Sequence, residues 1–286
     1  SPMQSRRIGN VTVSAIGLGG MPLSIDGRPD REQALATILA AIDSGVTLID
    51  TADSYTMEID GQGHNELLIA EALKLRPTEA KNILVATKGG LIYRTGRPWD
   101  RNGKPEYLRQ AAIDSARRLG VESIGLYQYH RQDYTVAYTD SLGAMKDLLD
   151  EGLIQMAGIS NAITEQIALF DEMLDGRLMS VQNRFSPIFQ SSRPELDYTV
   201  EHGMAFLPWS PLGGIGNGSE VFDSSAFAAV GAELGVSAQQ VALAWELSLG
   251  DSVIPIPGAS RPASITDSAL ASELVLTPEQ LARLGA

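Results

Sequence analysis

Four side chains of different chemistry stand at or just past the carboxyl ends of short apolar runs. Asp50 follows Leu48-Ile49, Lys88 follows a run ending at Thr87, His130 follows Leu126-Tyr127-Gln128-Tyr129, and Tyr55 lies five residues beyond Asp50. A carboxylate, an ammonium, an imidazole and a phenol are groups that exchange protons with a reacting molecule, and a lysine can also add to a carbonyl. Polar residues close the next runs too: Ser160-Asn161, Gln182-Asn183 and Trp209-Ser210. Singly, each has an ordinary explanation. A lysine ending a strand is commonly a solvated charge, an aspartate before threonine a turn or cap, a histidine among aromatics a satisfied core residue. Together they point to one reactive mouth, provided the fold makes these run ends converge.

The elements that must do so alternate along the whole chain. Strand-like apolar runs at 15–18, 47–49, 83–87, 124–129, 156–159, 180–182, 205–207 and 253–256 are separated by stretches of helical period at 30–44, 65–75, 105–119, 136–151, 164–174, 194–201, 224–234 and 237–249. Helix punctuation agrees: Asp30 and Ser237 suit N-caps, Pro105 a first turn, and Gly45, Gly120 and Gly152 follow helix ends. Eight strand–helix units with no linker between halves predict a single α/β domain over residues 1–286, a closed parallel (β/α)₈ barrel of the TIM type. In such a barrel every strand ends at the rim that carries the active site. The alternating segment 7–13, with Gly9-Asn10 at its centre, is expected to form a β-hairpin closing the barrel bottom. Three long connectors, 54–63, 89–104 and 212–219, are expected to be functional loops.

Composition removes several function classes. The 286 residues contain no cysteine, so disulfides, thiolate zinc sites and cysteine nucleophiles are excluded. The three histidines, His64, His130 and His202, lack metal-ligand spacing, so no metal is expected. A net charge of −13 disfavours a nucleic-acid surface, which needs clustered Lys and Arg. No run approaches the ~18 apolar residues of a membrane-spanning helix, and the basic pair Arg6-Arg7 has no apolar segment behind it. The expectation is a cytoplasmic protein acting on a small molecule, with no membrane or nucleic-acid partner.

Six short motifs in order resemble those of the aldo-keto reductase family. They are Leu48-Ile49-Asp50-Thr51-Ala52-Asp53-Ser54-Tyr55, Ala86-Thr87-Lys88, Leu126-Tyr127-Gln128-Tyr129-His130, Gly158-Ile159-Ser160-Asn161, Pro208-Trp209-Ser210-Pro211-Leu212-Gly213 and Ile254-Pro255-Ile256-Pro257-Gly258-Ala259-Ser260-Arg261. The resemblance implies reduction of an aldehyde or ketone to an alcohol by hydride from a nicotinamide cofactor, NADPH rather than NADH, without metal. It implies Tyr55 as proton donor, Lys88 as the ammonium that eases proton loss from the phenol, Asp50 as the partner orienting Lys88, and His130 as a hydrogen-bond donor to the carbonyl oxygen. For the cofactor it implies Ser160, Asn161 and Gln182 around the nicotinamide amide, Trp209 under the ring, and Ser210, Leu212 and Gly214 around the pyrophosphate. Gly258, Ser260, Arg261, Ser264, Asp267 and Ser268 complete the set at the adenosine end.

The chain departs from the family there, because the usual basic residues after strand eight are replaced and Arg261 is the only cation in the segment. Tyr93 and Trp99, in a connector rich in Arg, are expected to face the substrate. Two other readings of the same residues are a cofactor-binding regulatory subunit that senses redox state and a Schiff-base aldolase with Lys88 as nucleophile.

Overall fold

The computed structural model describes residues 3–59, 61–94, 97–213 and 225–285. A seven-stranded parallel sheet forms its centre, in the order β11 (Ala205–Phe206), β10 (Leu178–Gln182), β9 (Ile154–Ser160), β8 (Ile124–Tyr129), β5 (Leu84–Gly89), β4 (Leu48–Asp50) and β3 (Leu18–Gly19). Each neighbour is offset by one strand–helix unit, so the sheet curls until its edges meet an eighth segment. Val253 bridges Phe206 on one side, and Gly258 bridges Gly19 on the other. The eighth segment is not a regular strand because of its two prolines. The Ile254 and Ile256 amides donate to the Phe206 and Pro208 carbonyls (2.8 and 3.2 Å), while Pro255 and Pro257, lacking N–H groups, only accept from Gly17 and Gly19 (both 2.9 Å). A Cβ on Gly19 would lie 2.7 Å from the Ile256 carbonyl oxygen, so this seam requires glycine.

The expected hairpin is present as β1 (Ser5–Ile8) and β2 (Val11–Ser14), paired antiparallel. It plugs the barrel: Ile8 and Val13 are buried with Leu48, Leu84, Leu126 and Ile254. Arg6 fastens it from outside, donating to the carbonyls of Leu247 and Val253 (both 3.0 Å) and of Gly250. Gly9 turns the hairpin with φ of +56°, and a Cβ there would sit 2.8 Å from the Met179 sulfur. Gly9→Ala is therefore expected to destabilise the fold by at least the ~1–2 kcal/mol of a left-handed non-glycine residue. A urea midpoint equal to that of the parent would show that the plug lies outside the cooperative core.

Helices α1 (Arg31–Asp43), α2 (His64–Lys74), α3 (Pro77–Ala80), α4 (Pro105–Leu119), α5 (Tyr138–Asp150), α6 (Thr164–Met173), α7 (Arg193–His202), α8 (Ala226–Leu234) and α9 (Ala238–Leu247) surround the sheet. Asp30, Ser225 and Ser237 cap α1, α8 and α9 by accepting from backbone amides. No single helix among the described residues is long and apolar enough to cross a membrane.

Three further features differ from the sequence reading. The first barrel strand is Leu18–Gly19, displaced from 15–18 because Ala15 instead donates to the Gln4 carbonyl beside the hairpin. The connector 89–104 contains a second hairpin, β6 (Leu91–Arg94) and β7 (Arg97–Arg101). Its cross-strand contacts are an Arg94–Asp100 ion pair of 3.3 Å and an edge-to-face Tyr93–Trp99 contact, so it shows no apolar alternation. Finally, α10 (Pro262–Ala269) follows the eighth segment and covers α1 through Ile265 and Ala269, with α11 (Pro278–Arg283) after it. Thr266, Asp267 and Ser268, between those two apolar positions of α10, dilute its helical period.

Candidate active site

The carboxyl ends of β4, β5 and β8 bring Asp50, Lys88 and His130 to one rim, and the segment after β4 folds back so that Tyr55 joins them. Lys88 is 1% exposed, and its Nζ donates to Asp50 Oδ2 (2.6 Å), the Thr51 carbonyl (3.1 Å) and Tyr55 Oη (2.7 Å). An ammonium has three hydrogens, and all three are thereby engaged. Tyr55 Oη is the acceptor in its bond to Lys88, which leaves the phenol's own hydrogen for another partner. The Asp50 carboxylate has both oxygens engaged: its Oδ1 accepts from Gln128 (3.1 Å) and Gln182 (2.9 Å), and Gln182 also donates to Gln128 Oε1 (2.8 Å).

Electrostatics follow from this packing. Burial drags the Lys88 ammonium downward, but the Asp50 and Tyr55 oxygens outweigh it and hold its pKa above the ordinary lysine value. Burial raises the Tyr55 phenol, and the Lys88 charge offsets only part of that rise, so the hydroxyl carries its proton at neutral pH. Burial, followed by the positive charges of Lys88 and Arg131, holds His130 well below the ordinary imidazole value. A neutral imidazole therefore faces the phenol edge-on, with ring centroids 5.9 Å apart and its buried Nδ1 without a hydrogen-bond partner among the described residues.

A cavity of about 840 Å³ opens over these groups. Tyr55, His130, Ser160, Asn161, Gln182, Trp209, Ser210, Leu212, Gly258, Ser260 and Ser264 all line it, and so does Trp99. Asn161 knits its floor: its Nδ2 donates to the His130 carbonyl (3.0 Å) and to Ser160 Oγ (3.1 Å), while its Oδ1 accepts from the Trp209 indole (3.1 Å). Asn161 and Ser210 both hold the left-handed backbone, with φ of +56° and +48°. A Cβ on Gly258 would lie 2.7 Å from Pro22 Cγ, so this glycine admits close approach of the segment around Met21 to the cavity wall.

Other expected residues fall elsewhere. Arg261 is exposed at the N-cap of α10 and is not part of the cavity wall. Asp267 accepts from Ser237 Oγ (2.6 Å) and Gln240 Nε2 (2.7 Å), bracing the start of α9, and Ser268 is buried in α10. Tyr93 packs its ring against Trp99 rather than lining the cavity. Gly214 lies outside the described residues.

The sequence reading passed over several groups. Gln128 holds Asp50 from inside an aromatic run, and Arg131, adjacent to His130, lines the cavity with Arg101; the position of Arg131 two residues past a strand end was a usable signal. Behind the site, Glu66 accepts from Thr87 Oγ1 (2.5 Å) and Arg118 Nε (2.7 Å). Beside it Asp53 is buried, its carboxyl pushed well above the usual range by burial and then by the Glu66 charge. The contacts of this cluster span 21 and 52 residues in sequence, which spacing alone does not reveal.

Residues 15–286 match the model of the aldo/keto reductase family. An uncharacterized oxidoreductase of Schizosaccharomyces pombe is 33% identical over 284 residues, covering 97% of this chain and 88% of that protein. A 6-dehydroglucose reductase of Novosphingobium aromaticivorans is 32% identical over 280 residues, covering 94% and 90%. Among solved structures, an aldo/keto reductase of Klebsiella pneumoniae in complex with NADP and acetate superposes with a TM-score of 0.81 at 26% identity, covering 99% of this chain and 94% of that one.

Proposed function

The chain is an oxidoreductase of the aldo/keto reductase family, and we propose that it reduces an aldehyde or ketone to the alcohol with Tyr55 as proton donor and NADPH as cofactor. The observation that carries this reading is the saturated Lys88 ammonium, which donates to Tyr55 Oη and leaves the phenol hydrogen for an acceptor in the cavity. The cofactor, when bound, supplies the hydride to the carbonyl carbon. The chain's own residues manage the oxygen: His130, neutral in its buried setting, donates a hydrogen bond to the carbonyl oxygen, and Tyr55 delivers the proton as alkoxide charge develops there. Lys88 stabilises the resulting phenolate, and Asp50, fixed by Gln128 and Gln182, holds Lys88 in place.

The residues fit a nicotinamide dinucleotide. The Trp209 indole is anchored by Asn161 on the wall of a cavity within the usual range for cofactor sites, and Gly258 lets Pro22 pack closely elsewhere on that wall. Ser160, Asn161 and Gln182, on the cavity wall, are proposed to meet the carboxamide, and Ser210, Ser260, Ser264 and the Leu212 backbone the polar groups further along. NADP in the Klebsiella relative supports NADPH. Arg261, exposed beside Ser260 and Ser264, is proposed to meet the 2′-phosphate. Arg261→Ala is expected to weaken NADPH binding by about tenfold or more and leave NADH nearly unchanged, as read by fluorescence titration. Equal losses for both would move the phosphate site elsewhere.

Cofactor-oxidation rates over aromatic aldehydes, sugar aldehydes, keto acids and pyridoxal, with NADPH and NADH in parallel, test the reaction. Steady turnover supports it, whereas one fast turnover of bound cofactor with no steady rate favours the redox-sensing subunit. The Schiff-base alternative needs a neutral lysine, and the ion pair of Lys88 with Asp50 opposes that.

A further inference from the structure

Most charge in this acidic chain is solvated or paired, and one wall of the cavity is an exception. Arg131 follows His130 directly, is half-buried, and makes no hydrogen bond or ion pair among the described residues. Arg101, at the end of β7, reaches the same wall, with Nη1 on the Gln132 carbonyl (2.9 Å) and its guanidinium 5.5 Å from the Tyr134 ring centroid. Burial, and then the like charge of Arg101, pull the Arg131 guanidinium below its ordinary value, yet an arginine remains charged. Two cations thus share one wall with no carboxylate ion-paired to either among the described residues. Of the carboxylates on the cavity wall, Asp50 has both oxygens engaged below Tyr55, and Asp26 makes no ion pair with either arginine.

We propose that Arg131, supported by Arg101, is an anion subsite beside Tyr55 and His130, and that it selects aldehydes or ketones bearing a carboxylate. This rests on the carbonyl-reduction reading of the same cavity. Arg131 offers a free planar fork, the geometry that accepts a carboxylate with two parallel hydrogen bonds, and Arg101, already tied by Nη1, adds long-range attraction more than a second fork. Because the Arg131 charge acts on the proposed proton donor from the wall of the same cavity, the carboxylate and carbonyl of one small molecule can be held at once. Trp99, on the same wall, gives a flat apolar face to the carbon skeleton between them.

The test uses two aldehydes of equal size, 4-formylbenzoate and 4-formylbenzamide, with the whole 286-residue chain and saturating NADPH. The parent protein is expected to show kcat/KM about tenfold or more higher for the carboxylate, and Arg131→Met to bring the ratio near one. A ratio near one in the parent protein, or a preference that survives in Arg131→Met, overturns the subsite while leaving carbonyl reduction intact. Titration calorimetry with the alcohol product 4-(hydroxymethyl)benzoate and its amide separates the remaining cases. If neither aldehyde turns over but the carboxylate binds in an Arg131-dependent way, the subsite stands and the reductase reading falls; absence of both turnover and binding overturns both.

Discussion

Replacing Tyr55 by Phe is expected to lower kcat for carbonyl reduction by ~10²–10⁴ while leaving the Kd for NADPH within about twofold. The hydroxyl is the only group removed, and its one hydrogen bond among the described residues is the one it accepts from Lys88. The ring itself packs edge-on to His130 and beneath the Lys88 ammonium, 4.8 Å from its centroid, and a phenylalanine keeps both contacts. The buried Lys88 ammonium loses one of its three acceptors, so a stability loss of about 1–3 kcal/mol is expected, while cofactor binding is kept and the catalytic loss falls on kcat. The pH profile supplies an independent check. Because burial raises the phenol above its ordinary value of about 10, reduction is expected to be flat through neutral pH and to decline only in the alkaline range. The reverse oxidation, which needs the phenolate as base, should rise over the same range. A Phe variant with near-parent kcat would remove Tyr55 from the role of proton donor and return the question to His130.

Much of the barrel was legible because its strands are continuous apolar runs, buried on both faces and bounded by glycines and caps. Asp50, Lys88 and His130 end such runs, so the fold rule and the residue types pointed to one rim together. The hairpin at 91–101 was not legible, since arginine, aspartate and aromatic pairs stabilise it rather than an apolar face. Nor was helix α10, whose buried side is carried by Ile265 and Ala269 against α1. The support of the site is the least readable part. Gln128 and Gln182 converge on one Asp50 oxygen from 78 and 132 residues away, and nothing local to either glutamine announces that partner. The eighth segment shows the converse: its apolar run predicted a strand, but proline chemistry limits it to isolated bridges.

Long-range support of this kind gives the second large effect. Lys88→Met is expected to reduce turnover by roughly 10²-fold or more, because Tyr55 loses the cation that donates to its oxygen. It is also expected to destabilise the fold by about 3–5 kcal/mol, because a carboxylate only 2% exposed is left without its ion partner. The two effects separate in a second variant. Lys88→Met combined with Asp50→Asn removes both charges, so urea unfolding should recover most of the lost stability while turnover stays low. Asp50→Asn alone keeps the ammonium and should lose less activity than Lys88→Met. The pH dependence of the stability difference has a definite sign. Lys88 has a folded-state pKa above its unfolded value, so its contribution is complete below the ordinary lysine value of about 10.4 and is lost only as pH climbs through the raised one. The gap between parent and Lys88→Met should then be constant from about pH 6 to 9 and shrink above it. A gap that closes near neutral pH would mean that Lys88 is deprotonated in the folded protein, and the lysine would then be free to act as a nucleophile.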